Sequence, residues 1–173
     1  EASAGRFPLA TTRMRGVADL IAALYGGDAF VLALVDNPDE VRLVAQRVTD
    51  LFIACGRFQL QRIPAFHGGI GSFYYHAWMP AGTVWHQEDA AALLSPKLYA
   101  EFIEPFDRQI VAAFRHVVMH QHSTGFVPTD RYLAMGMSVL ELHIDSGGPS
   151  AESLFDRHMA ILRERPLIIW GDI

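Results

Sequence analysis

Three histidines and two carboxylates fall at alternate positions of two short segments, Val117-Val118-Met119-His120-Gln121-His122 and Val139-Leu140-Glu141-Leu142-His143-Ile144-Asp145. In an extended strand successive side chains point to opposite faces. His120 and His122 therefore share a face. Glu141, His143 and Asp145 also share one, with Leu140, Leu142 and Ile144 opposite. A buried strand of an α/β protein is ordinarily apolar on both faces. A face of His and carboxylate on two neighbouring strands predicts the lining of a pocket. Imidazole nitrogen and carboxylate oxygen suit Zn²⁺, and a catalytic zinc keeps a position open. Adjacent parallel strands lie ~4.8 Å apart, so His120, His122, His143, Glu141 and Asp145 can converge as a ligand set. The alternative is that they are hydrogen-bonded pocket residues that bind nothing.

A second group closes another strand-like segment. Glu88 and Asp89 follow His86. They read as a substrate-binding acid or a general acid/base pair, or else as charges favoured at a positive helix start. Asp172 ends the last apolar run and would orient substrate or cap a following helix. Trp85, His86 and Tyr75 are candidate substrate-binding residues. Tyr75 belongs to an aromatic group with Phe73, Tyr74 and Trp78 that could cover a flat substrate or pack as core.

These residues need elements to hold them. Phe7 to Thr12 reads as a strand. Val17 to Tyr25 has helical spacing and stops at Gly26-Gly27. Asn37-Pro38-Asp39-Glu40 is a helix start: Asn as cap, Pro at the first position, Glu three residues after the cap. The stripe Val41, Val44, Val48, Leu51, Cys55 and Phe58 carries that helix to about Pro64, and it places Cys55 in the core. Gly68 to Trp85 reads as a strand and an irregular loop. Ser95-Pro96 opens a helix that Pro105 can kink. A helix around Asp130 to Met135 stops at Gly136, another runs from Ala151 to Arg163, and Pro166 to Trp170 is a last strand. His116 and His158 are expected on helix surfaces. Strand and helix alternate, which predicts a parallel sheet with crossover helices. The polar strand faces favour a barrel over a flavodoxin-like open sheet, because a barrel strand shows one face to the lumen.

The 173 residues, 51% of them hydrophobic, suffice for one domain over residues 1–173. The net charge of −5 and the lack of a basic run argue against nucleic acid as a partner. No apolar stretch is long enough to span a bilayer, and no signal peptide is visible. A single cysteine excludes an internal disulfide and fits a reducing cytoplasm. Both ends look cut, as in a fragment of a larger barrel. A part-barrel with open edges predicts homo-oligomers.

Several segments resemble the uroporphyrinogen decarboxylase superfamily. Glu88-Asp89 and Leu94-Ser95-Pro96-Lys97-Leu98-Tyr99-Ala100-Glu101-Phe102-Ile103-Glu104-Pro105-Phe106 resemble its acidic strand end and following helix. His120-Gln121-His122-Ser123-Thr124-Gly125 lies where that superfamily has a His-x-Cys strand end. Gly136 to Asp145, Trp170-Gly171-Asp172, Gly16 to Gly27 and Asp36-Asn37-Pro38 are similar to further motifs. The resemblance implies a partial (β/α)8 TIM barrel of about five parallel strands, covering the middle and later part of the fold. It implies one of two chemistries. The methyltransferases bind zinc and move methyl groups between a corrinoid protein and a thiol. The decarboxylases need no metal or cofactor and hold a porphyrinogen through Arg and Asp residues. This chain lacks the zinc cysteines, with His122 at the Cys-like position. Its three histidines favour metal-assisted methyl transfer on a small-molecule substrate. Cofactor-free decarboxylation is the alternative, and a non-catalytic binding domain with the same fold is the third reading.

Overall fold

The structure is a computed structural model that describes residues 5–72 and 76–172. In chain order the elements are β1 (Ala10–Thr11), β2 (Arg13–Arg15), α1 (Val17–Tyr25), α2 (Gly27–Asp36) and α3 (Pro38–Arg62). Then come β3 (Gly69–Ser72), β4 (Trp78–Pro80), β5 (Thr83–Gln87), a 3₁₀ turn (Asp89–Leu93), α4 (Pro96–Phe102) and α5 (Glu104–Ala113). The chain ends through β6 (His116–His122), α6 (Thr129–Met135), β7 (Val139–Ile144), α7 (Phe155–Leu162) and β8 (Leu167–Gly171). Phe73, Tyr74 and Tyr75 lie outside the described residues.

Five strands form one all-parallel sheet in the order β2-β5-β6-β7-β8. The order follows the chain and never reverses. Right-handed crossovers between successive neighbours then leave every connecting helix on one side. The packing agrees: Val84, Val117, Met119, Leu140 and Leu142 of the strands share one buried cluster with Val17 and Ile21 of α1, Phe52 of α3, Ile110 of α5 and Ile161 of α7. The opposite face carries a much smaller apolar cluster of Trp85, Val118 and Val139, roofed by Ala77 and Met79. Met79 belongs to the second sheet, β1-β3-β4, in which β1 and β3 are parallel and β4 runs antiparallel to β3, and Ala77 directly precedes β4.

Local signals act as their chemistry requires. The Ser95 hydroxyl accepts from the Leu98 N–H at 3.2 Å and caps α4. Pro105 divides the next helical stretch at Ile103, so α4 and α5 are separate. Gly136 ends α6 with φ of 90°, a left-handed conformation that glycine adopts without strain.

Four expectations fail. Gly26-Gly27 ends α1, but Gly27 opens a second helix, α2, bent 101° from the first; Phe30, Ala33 and Leu34 bury its inner face. The strand expected over Phe7 to Thr12 is shorter, and after Thr12 the chain passes into a separate strand, β2, which belongs to the other sheet. Cys55 is exposed, as are Leu51 and Phe58. The stripe that placed them inside steps by three and four residues, a 3.5-residue repeat that drifts around a straight 3.6-residue helix. The buried face is Val41, Ala45, Val48, Thr49, Phe52 and Gly56. At Gly56 a Cβ would lie 2.6 Å from the Phe114 ring, so α3 packs closest through a residue with no side chain. Finally, His158 is buried rather than on a helix surface, and His116 opens β6. No single helix among the described residues is long and apolar enough to cross a membrane.

Candidate functional site

Register converts the alternation into a surface. Arg15, Gln87, His120, Glu141 and Ile168 stand side by side across the sheet, and His122, His143 and Trp170 form the next row toward the strand C-termini. Paired residues of a sheet share a face, so both rows lie on the side away from the helices. Below them, Arg13 pairs with Trp85 and Trp85 with Val118.

Both central imidazoles are held by carboxylates. The Nδ1 of His120 contacts Oε2 of Glu141, and the Nδ1 of His122 contacts Oδ1 of Asp145. Asp145 also accepts from the Thr124 hydroxyl at 3.0 Å. Burial would raise the Asp145 carboxyl, but the bonds from His122 and Thr124 outweigh it and hold the group below the ordinary range. An ionised carboxylate only accepts, so the Asp145 contact places the His122 proton on Nδ1, and an ionised Glu141 would do the same for His120. The two Nε2 atoms face Asp89, at 3.5 Å from Oδ1 for His120 and 3.8 Å from Oδ2 for His122. Burial foremost, and then the Arg13 charge, holds the pKa of His120 down to about 3, so the ring stays neutral.

Asp89, His120 and His122 bring one ligand atom each within 4.8 Å of one another. Tetrahedral ligands around zinc stand ~3.3 Å apart, so modest closure would suffice. Glu141 and Asp145 then occupy the outer position, orienting the rings as carboxylates behind ligating histidines do. His122, His143 and Asp145 form a second possible group. It shares His122 with the first, and its His122–Asp145 contact is already closed as a hydrogen bond, which favours the first group. The His143 ring stands 4.8 Å from that of His122 and borders a depression of about 510 Å³ lined also by Ser146, Trp170, Gly171 and Asp172. On the other flank, Arg15, Gln87 and Asp89 line a depression of about 280 Å³.

The remaining expected site residues separate by parity. Trp85 is fully buried on the site face, beneath the histidine rows. Asp89 begins the 3₁₀ turn and accepts from the Gln87 side-chain amide. His86 and Glu88 point the other way. The His86 ring packs 5.0 Å from that of Phe52, and its Nε2 lies 3.1 Å from Asp107 Oδ1. Asp107 also accepts from the Tyr99 hydroxyl at 2.7 Å. Burial first, then the carboxylates of Asp107 and Asp19, push Glu88 well above the usual carboxyl range. His86, Glu88 and Asp107 form a third group with metal-ligand spacing, sealed among the helices. Asp172 is exposed at the end of β8, where its N–H bonds the Ile144 carbonyl at 3.0 Å. Tyr75 lies outside the described residues.

Sequence reasoning missed Arg13, Arg15, Gln87 and Asp107. The arginines alternate around Met14 in the same two-residue period as the histidines. Ending the first strand at Thr12 hid that signal. Compared with known proteins, the chain matches no protein-family model and no curated protein.

Proposed function

We propose that this chain forms the catalytic face of a uroporphyrinogen-decarboxylase-like β/α barrel, with zinc at Asp89, His120 and His122, and that it serves metal-assisted methyl transfer to a small thiol. Sequential parallel order, helices on one side only and polar residues at the strand C-termini are what a section of such a barrel requires. The observation that carries the reading is the set of three acceptor atoms, two imidazole nitrogens and a carboxylate, turned toward one point with their rings braced from behind. Such a set calls for a cation. Bound zinc would supply a Lewis acid at which a thiol loses its proton near neutral pH.

The chain's own residues do the rest. Glu141 and Asp145 fix the tautomer and aim of His120 and His122. Gln87 steadies Asp89. Trp85 and Val118 floor the site and keep water from beneath it. His143 stands at the open side, placed to exchange a proton with an incoming group. A corrinoid protein is the expected methyl donor, and a reducing cytoplasm the expected setting.

A second reading, cofactor-free decarboxylation, is favoured by Arg13 and Arg15, whose positions on the site face suit a carboxylated substrate. The deciding experiment is metal analysis followed by substitution with Co²⁺ and titration with a small thiol. The expected result is one equivalent of bound ion and a sulfur-to-cobalt charge-transfer band. Protein that binds neither ion at neutral pH refutes the metal reading.

A further inference from the structure

We propose that Asp19 and Glu88 form a reciprocal clamp between α1 and the turn after β5, and that this clamp positions Asp89 for metal binding. The inference rests on Asp89 being a ligand and assigns positioning residues to that site, Asp19 on α1 and Glu88 on the helix side of the sheet.

The two carboxylates each serve the other's helix start. Glu88 accepts from the N–H of Val17 and, at 2.9 Å, from that of Ala18, the first two residues of α1. Asp19, the next residue of α1, accepts from the Ala90 N–H at 2.7 Å, in the first turn of the 3₁₀ segment. The first N–H groups of a helix have no internal partner. Each contact therefore satisfies donors that would otherwise be orphaned. Asp89 lies between the two anchor points, with Glu88 fixed before it and Ala90 after it. The Glu88 N–H also bonds the His120 carbonyl at 3.3 Å. The ligand on the turn and the ligand on β6 are thus tied to one frame.

The approach of α1 depends on Gly16. A Cβ there would lie 2.2 Å from Glu88 Oε1 and from His86 Cε1, and 2.6 Å from the Gln87 carbonyl. Only glycine admits the helix start this close. Both carboxylates are buried. Burial, foremost, raises Asp19 to about 6. Their hydrogen bonds to Val17, Ala18 and Ala90 offset the cost of that burial. A capping role alone would affect α1 stability and leave the metal untouched, so zinc affinity is the readout that separates the two roles.

The test is zinc titration, thermal melting and amide hydrogen exchange of the wild type, Asp19→Asn, Asp19→Ala and Glu88→Gln. Asparagine retains the acceptor for Ala90 and should keep zinc affinity within about threefold. Alanine should weaken it by about 10-fold or more, the size seen when an outer-shell partner is lost. Glu88→Gln keeps one of two acceptors and should fall between. Folded Asp19→Ala protein with zinc affinity within about twofold of wild type overturns the proposal, as does an asparagine variant no better than alanine. Should Asp19→Ala not fold, Glu88→Gln against Asp19→Asn decides in the same way, and equal affinities overturn it. If the wild type binds no zinc, the metal reading fails on its own. Exchange at Ala90 to Leu93 then tests the clamp: faster in Asp19→Ala supports it, unchanged refutes it.

Discussion

Replacing Glu141 separates a ligand from a residue that aims one. The structure puts the fully buried Glu141 carboxylate against Nδ1 of His120, on the far side of the ring from Asp89. If Glu141 only orients the ring, its loss leaves all ligand atoms in place but frees the tautomer and the ring angle. Losses of this kind cost 10–100-fold in metal affinity, or about 1.4–2.7 kcal/mol. Glu141→Gln keeps an oxygen that accepts from Nδ1–H and gives up only the charge, so it belongs near tenfold. Glu141→Ala removes the acceptor and leaves a void, so it belongs near a hundredfold. Asp89→Ala deletes an ionised ligand and should exceed both. The assay is competition for zinc with a chromophoric chelator at pH 7.5 and fixed ionic strength, with each variant's fold checked by circular dichroism. Glu141→Gln abolishing binding as fully as His120→Ala would make Glu141 a direct ligand. An unchanged Kd in Glu141→Ala would end the orienting argument.

Three further outcomes follow from burial and charge. Leu142 is 1% exposed among the helices; Leu142→Ala should cost ~2–5 kcal/mol of stability through a cavity, read by urea denaturation, while zinc affinity of the folded variant stays near wild type. An affinity loss as large as that of His122→Ala would contradict the division of faces. Asp19, raised to about 6 from 3.8, binds its proton more tightly folded than unfolded, so its contribution to stability falls as pH rises through that window. The stability of Asp19→Asn relative to wild type should therefore increase by up to about 3 kcal/mol between pH 4 and 7, and parallel pH–stability curves would exclude the shift. The sheet ends in two edge strands, β2 and β8, with Ile169 and Trp170 exposed on the second. Self-association is expected, and light scattering that finds a monomer at micromolar concentration would refute it.

Element types were largely legible because their signals are local. Ser95-Pro96, Pro105 and Gly136 each act through a hydrogen bond or a backbone angle that depends on no distant residue. What escaped depends on tertiary packing. Gly27 opens a helix because the chain can turn sharply there and bury Phe30 and Leu34 at once, so a pair of glycines that reads as a stop is a corner. Cys55 and Phe58 face out because a 25-residue helix rotates its inner face away from a 3.5-residue stripe. Gly56, in the middle of a long helix, was the residue that marked the true contact.

The site shows a related limit. Alternation assigned His120, His122, Glu141 and His143 to one surface, and register keeps them there. Alternation cannot say which atom of each residue points where. That distinction changes the chemistry: Glu141 and Asp145, grouped with the ligands on composition, lie behind the rings, while Asp89, set apart from them, faces both Nε2 atoms. The same parity rule carried through residues 85 to 89 was available and divides them. Trp85, Gln87 and Asp89 take the histidine side. His86 and Glu88 take the helix side, where one joins Asp107 and the other caps α1. A strand end this polar reads as a single acidic motif in one dimension. In three dimensions it is the proposed ligand, Asp89, on one face and its proposed anchor, Glu88, on the other, joined by the backbone between them.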